Sequence, residues 1–282
     1  MSLSCTSLPR RFEIEQASGK GSLAECARVD FIRPLRDKLL LKSARMSGGI
    51  VAVTSLALEA RIALGSGVSV ICSQGPRLPA DLASALRRGA SGIISFGVAG
   101  GLAPGLAAGD WVAATAVRTT NQLFPTDETW TRSLLARLPK AVHAEMVGVD
   151  APVAHPSEKQ LLHAQTGAVA VDMESHIVAS IATAHQVPFV VCRVIIDAAH
   201  TLLPPAALIG LRPDGTADVL AVLRSVLREP GQLPALVRTA FDAWVARAAL
   251  RRGRHMLGAG LAFPDVRDTR RGFGLSRAGV PA

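Results

Sequence analysis

The chain has 282 residues, 49% of them hydrophobic, with no tyrosine and a net charge of +9; this composition fits one or two domains whose cores are Ala, Val, Leu and Ile, as in buried parallel sheets. The charge excludes a basic nucleic-acid-binding domain by its position, since residues 1–46 carry +4, residues 246–282 carry +6 and the middle carries −1. Cys5, Cys26, Cys72 and Cys192 form neither a metal spacing nor a disulfide framework, the start has no signal-type apolar core, and the longest uncharged stretch, 89–109, holds seven glycines and Pro104 and is no membrane span. A cytoplasmic location is expected.

Residues 1–46 show no sustained period and read as a disordered extension. The folded domain is placed at 47–255, and 256–282 as a basic, disordered tail. Strands are predicted over 50–54 and 68–72, a helix over 79–88, a strand over 93–96 and a tight glycine turn over 97–101. A strand follows over 111–117, a helix over 129–138 and an extended run over 144–149, with 124–127 as a polar loop. A helix is expected over 157–165 with Ser157 as its cap, then a strand over 169–171, a helix over 174–185 and an apolar strand over 188–195. Helices over 216–227 and 233–251 close the folded part. Strands alternating with helices indicate an α/β fold with a mostly parallel central sheet.

Open α/β sheets bind ligands at the carboxyl ends of their strands, and four places there carry polar residues. Ser55 and Glu59 follow the first strand; an acid in a helix's first turn is favoured by the dipole without any chemistry. Gly97-Val98-Ala99-Gly100-Gly101 lets backbone N–H groups approach an anion or a sugar oxygen, but it is not GxGxxG. Asp172-Met173-Glu174-Ser175 sets two acids around a methionine: Glu174 suits vicinal sugar hydroxyls, Met173 suits the sugar face, and Asp172 reads equally as a helix cap. Arg193 and Asp197 emerge from a wholly apolar strand. They form either a structural pair or a site with an acid whose pKa burial has raised, able to give a proton to a leaving base.

Taken in order, Glu59-Ala60-Arg61, GxAGG, VDMES and RxIxD resemble the purine nucleoside phosphorylase and nucleosidase superfamily, in particular the methylthioadenosine/S-adenosylhomocysteine nucleosidase branch. The strings Asp172-Met173-Glu174-Ser175-His176-Ile177-Val178-Ala179 and Leu203-Pro204-Pro205-Ala206-Ala207-Leu208 are closer still to hopanoid-associated phosphorylases, which act on adenosylhopane. The resemblance implies the three-layer nucleoside phosphorylase-like fold, a mixed, mostly parallel sheet flanked by helices. It implies cleavage of an N-glycosidic bond by phosphorolysis or hydrolysis, with Asp197 at the purine, Glu174 on the ribose hydroxyls, Met173 under the sugar and, in a hydrolase, Glu59 orienting or deprotonating the attacking water. Val98, Ala99 and Gly100 would line the sugar site, Arg193 would position Asp197 or the sugar, and Val153 stands where a purine-facing aromatic is usual. It also implies a homo-oligomer. No metal or organic cofactor is called for, and inorganic phosphate is a possible co-substrate, with Arg61 and Ser55 as the candidates to hold it.

Val98 and Ile196 replace family Ser or Thr, which makes the pocket apolar and suits a large 5′ substituent. Alternatives are a small-nucleoside enzyme of methylthioadenosine or futalosine type and a non-catalytic nucleoside-binding module. The arginine-rich end of the last helix reads as a solvated terminus, with contact to an anionic membrane as its alternative.

Overall fold

The computed structural model describes residues 49–73, 75–209 and 218–264. The extension expected over 1–46, the start of the helix expected at 216 and the tail from 265 lie outside the described residues. The elements run β1 (Ile50–Thr54), α1 (Ala57–Ala63), β2 (Val68–Cys72), α2 (Leu78–Arg87), β3 (Gly92–Gly101), β4 (Trp111–Arg118), β5 (Leu123–Pro125) and α3 (Glu128–Arg137). They continue with β6 (Val142–Gly148), α4 (Pro156–Thr166), β7 (Ala170–Asp172), α5 (Ser175–Ala184), β8 (Phe189–Asp197), α6 (Pro205–Ile209), α7 (Val219–Arg228) and α8 (Leu233–Leu257).

Strands β2, β1, β3 and β8 lie side by side in parallel. Strand β7 pairs antiparallel with the end of β3, β6 runs parallel to β7 and to β4, and β4 returns antiparallel to β8. Strands β3, β8, β4, β6 and β7 therefore close on themselves, with β1 and β2 extending from β3 and β5 hanging on β4. The sheet is mixed and mostly parallel, as expected.

Both faces of the sheet are covered, which is why its strands read as unbroken apolar runs. Side chains alternate across the sheet. Val51, Val53 and Ile93 join Leu78 and Leu82 of α2 and Val178 and Ala182 of α5 on one side. Ile50, Ala52 and Ile94 join Trp130 and Leu134 of α3 and Leu250 and Leu257 of α8 on the other. The result is helix, sheet, helix in three layers.

Several boundaries differ from the sequence reading, each for a local reason. The glycines at 97–101 make no turn; they are the second half of β3, which pairs with β8 along its length. A Cβ on Gly97 would stand 2.6 Å from a carboxylate oxygen of Glu59, and one on Gly101 would stand 3.1 Å from the Asp197 carbonyl. The glycines are there for close approach of neighbours, and an irregularity between Ala99 and Gly100 shifts the strand's register. Phe124 and Pro125, expected in a loop, form β5 against Ala116 and Val117. Helix α4 is capped by His155, whose Nδ1 accepts from the Ser157 N–H, and not by Ser157 itself. The boundary at 255 falls inside α8: Leu257, Leu261 and Ala262 are buried, and the Leu261 carbonyl accepts the Trp130 indole N–H at 2.9 Å. Phe263 then packs edge-on against Trp130.

Candidate active site

Glu59 enters the site because α1 starts only two residues after β1. Leu56 is the cap, and Glu59, at the third helical position, reaches back over it. Its Oε2 accepts the N–H groups of Ser55 and Leu56 at 3.0 and 2.9 Å and the Ser55 hydroxyl at 3.3 Å. Its Oε1 accepts the N–H of Val98 on β3 at 2.8 Å. Burial lifts this carboxyl above the usual carboxylate range, against the opposing pull of Arg193 and of the Leu56, Val98 and Ser55 N–H groups.

Because β7 is antiparallel to β3, its exit carries Asp172 and Glu174 back along β3 toward Arg193 of β8, whose register partner is Gly97. The Arg193 side chain is fully buried and is held on every side. Nη2 donates to the Ser95 hydroxyl at 2.7 Å and to Glu174 Oε2 at 3.2 Å, and Nη1 donates to the Val98 carbonyl at 3.3 Å. Nε lies 2.8 Å from Asp172 Oδ2, an ion-pair contact bent too far to count as a hydrogen bond. Asp172 accepts the N–H of Ser175, the first residue of α5, at 3.0 Å and, closely, the Ser175 hydroxyl, whose oxygen lies 2.9 Å from the Ser95 hydroxyl.

Glu59, Glu174, Asp172 and Arg193 thus make one buried cluster with three carboxylates and one guanidinium. Burial pushes Glu174 up to about 7, Asp172 and Glu59 add to the rise, and Arg193 and the Ser55 hydroxyl hold it down. Burial alone would lower Arg193, but Asp172, Glu174 and Glu59 outweigh it and raise it. Met173, half-buried, lies in the chain between the two acids.

Asp197 stands at the end of β8 opposite Gly100, which approaches its carboxylate closely. Its partner is a residue the sequence reading missed. Lys159 of α4 is fully buried, and its ammonium contacts Asp197 Oδ2 and donates to the carbonyls of Ala198 and Thr201, each at 3.0 Å. A buried charge is tolerated when it is paired and its protons are placed, and all three are here. Burial raises Asp197 above the ordinary carboxylate range although Lys159 pulls the other way. Arg193 therefore does not position Asp197: its contacts are Asp172, Glu174, Ser95 and Val98, and Lys159 holds the acid.

Glu59 touches β3 at Gly97 and Asp197 touches it at Gly100, so the two acids are separated along the strand by roughly 10 Å. Val153 packs with Leu102, Val147 and Val171, and its loop is tied to the one after Asp197 by the hydrogen bond from Leu203 N–H to the Ala154 carbonyl. Val98 differs from the expectation of a free backbone donor, since Glu59 takes its N–H and Arg193 its carbonyl. Arg61 is not in the cluster. Two residues beyond Glu59 on α1 it faces outward and lines a groove with Arg247, Arg251 and Arg254. Ser55 is in the cluster, bound to Glu59. Among the described residues no group of three or more His, Cys, Asp or Glu is placed to hold a metal ion, and no helix is long and apolar enough to cross a membrane.

Residues 59–228 match the model of the phosphorylase superfamily. No curated protein matches the chain. Among solved structures the chain is similar to a mutant 5′-methylthioadenosine/S-adenosylhomocysteine nucleosidase from Helicobacter pylori with 5′-methylthioadenosine in its active site. The TM-score is 0.53 at 16% identity, over 75% of this chain and 99% of that one. The nucleosidase from S. pneumoniae gives a TM-score of 0.55 at 17% identity over 76% and 98% of the two chains. Futalosine hydrolase of Helicobacter pylori gives 0.51 at 18% over 65% and 99%. These likenesses establish the shared fold, and the match over most of the described residues establishes the family: the chain belongs to the phosphorylase superfamily.

Proposed function

We propose that this enzyme cleaves the N-glycosidic bond of a purine nucleoside, with water as the nucleophile, and that its substrate is adenosylhopane, from which it removes adenine in bacteriohopanepolyol synthesis. The observation that carries the reading is the pair of acid centres along β3: Asp197 with Lys159 at one end, and Glu59 with Glu174 and Arg193 at the other. A nucleoside set across the roughly 10 Å between Gly97 and Gly100 has its base at Asp197 and its sugar at Glu174.

N-glycosidic cleavage builds positive charge on the sugar and negative charge on the departing base. Asp197, raised by burial, gives the base a proton or a hydrogen bond. Glu174 takes the sugar hydroxyls, oriented by Arg193, and Met173 packs on the sugar face. Glu59, fixed by three backbone N–H groups, keeps lone pairs on Oε1 for a water. The surplus of carboxylates around Arg193 stabilises an oxocarbenium-like sugar and repels phosphate. With Arg61 facing elsewhere, the cluster presents no uncommitted cation among the described residues, which favours water over inorganic phosphate. The large apolar 5′ group is supported by Val98, Ile196 and Val153, where relatives are read to carry polar or aromatic residues.

The test is adenine release by the purified full-length chain from adenosylhopane in detergent and from methylthioadenosine, each with and without phosphate. Phosphate-independent release from adenosylhopane is expected. Release only from methylthioadenosine would replace the lipid substrate with a small nucleoside, and dependence on phosphate would replace the nucleophile.

A further inference from the structure

Thirteen large apolar side chains are exposed among the described residues, and ten of them fall between Leu202 and Met256. On α8 they form a stripe. Leu233, Val237, Phe241 and Trp244 recur at helical spacing on one face and are 49%, 62%, 60% and 63% exposed. The opposite face, with Ala246, Ala249, Leu250, Gly253 and Leu257, is buried against the sheet layer. The stripe is therefore not the helix's core contact. The rings of Phe241 and Trp244 lie 6.0 Å apart and make one apolar knob. Helix α7 repeats the pattern, with Leu220, Leu223 and Leu227 exposed beside Arg224 and Arg228.

Further along α8 the same outer face turns basic. Arg247 and Arg251, one and two turns beyond the knob, line a groove of about 600 Å³ with Arg61, Arg254 and His255 and with no acid in its walls. Arg61, Arg247 and Arg251 have no carboxylate partner among the described residues. Helix α8 carries five arginines and a single acid, Asp242. A second copy of this face would meet these arginines with arginines or apolar rings, and so could not neutralise them. A surface that is both apolar and anionic answers both halves.

We propose that the outer face of α8 docks on an anionic lipid bilayer: Phe241 and Trp244 enter the headgroup and acyl boundary, and Arg247 and Arg251 take lipid phosphates. Helix α8 adjoins the active site, since the Arg238 guanidinium lies 3.3 Å from His200 Nε2, three residues after Asp197. Entry of a bilayer-borne nucleoside along α8 rests on the adenosylhopane reading above; the docking itself does not.

The experiment is co-sedimentation of the full-length protein with phosphatidylcholine vesicles containing or lacking phosphatidylglycerol, together with tryptophan emission. Trp244 is the exposed member of the three tryptophans, Trp130 being buried and Trp111 half-buried, so it is a native reporter. Binding and a blue shift with phosphatidylglycerol vesicles are expected, the shift disappearing in Trp244→Phe. At roughly 1 kcal/mol per arginine near such a surface, Arg247→Ser with Arg251→Ser lowers partitioning roughly 30-fold. Phe241→Ser with Trp244→Ser lowers it by a similar factor. All four residues are exposed, and unchanged circular dichroism confirms that the variants fold. No binding by the parent, or binding that neither pair of substitutions weakens, would overturn the proposal. So would a dimer in solution that Phe241→Ser with Trp244→Ser converts to monomer, because the face would then be a protein interface. None of these readouts depends on activity, so they stand or fall separately from the substrate assignment.

Discussion

Replacing Lys159 by Met keeps the unbranched side chain, one atom shorter, and deletes its charge. The ammonium is fully buried and serves Asp197 and the carbonyls of Ala198 and Thr201. Breaking a buried ion pair from one side costs about 3–5 kcal/mol, and each carbonyl left without its donor costs about 1 kcal/mol more. The expected loss of about 5–7 kcal/mol is a large part of the ~5–15 kcal/mol that holds a domain together. Its pH dependence identifies the cause. Burial already raises Asp197, and without the ammonium the rise is larger. An acid raised in the fold favours folding below its unfolded pKa and loses that contribution as pH climbs through the folded value. The deficit of Lys159→Met relative to the parent therefore widens as pH rises through the Asp197 pKa. Adding Asp197→Asn recovers part of it, since the stranded carboxylate is gone. Urea unfolding of the parent, both single variants and the double variant at two pH values measures all of this. A loss below about 1 kcal/mol at both pH values, with no coupling to Asp197→Asn, would refute the argument that this pair is a structural ion pair.

Three further outcomes follow from the same geometry. Glu174, held up to about 7, is protonated on the acid side and then a poorer acceptor for sugar hydroxyls, so KM rises as pH falls below 7; Glu174→Gln flattens that limb, and a profile unchanged by the substitution would exclude Glu174 from sugar binding. Glu59→Gln lowers kcat about 10²–10⁴-fold with a smaller change in KM, and it costs about 1–3 kcal/mol of stability because one amide donor faces a backbone N–H; parallel kinetic and melting measurements separate the two. Ending the chain after residue 255 removes buried Leu257 and Leu261, at about 1.5–3 kcal/mol each, and the carbonyl that satisfies Trp130. The truncated chain is expected to melt well below the parent, and equal melting would restore the boundary at 255.

The three acids were legible because each leaves an apolar strand, and a carboxylate in such a place needs a reason. The strand alternation was legible because β1, β3 and β8 are buried on both faces. Lys159 was not: in Pro156-Ser157-Glu158-Lys159-Gln160 it reads as one more solvated helix residue, and its partner lies 38 positions away. Only the packing of α4 beside the end of β8 makes it an internal cation. The glycines at 97–101 misled for a related reason. Their small size serves neighbouring Glu59 and Asp197 and not a turn, which no local pattern reveals. Arg61 is a sequence candidate for phosphate, but residues two apart on a helix lie on opposite sides, so it faces away from Glu59. The basic composition of 256–282 hides the apolar positions Leu257 and Leu261, which carry the fold two residues and more past 255.

The central claim, that Asp197 drives departure of a purine base, is tested most directly by chromatographic measurement of adenine released by the parent and by Asp197→Asn under identical conditions. The account predicts release by the folded parent and a rate 10²–10⁴-fold lower, of the order general acid catalysis supplies, in a variant that still folds and still binds nucleoside. Equal rates in the two proteins, or no adenine from a folded parent with adenosylhopane or methylthioadenosine, would contradict it.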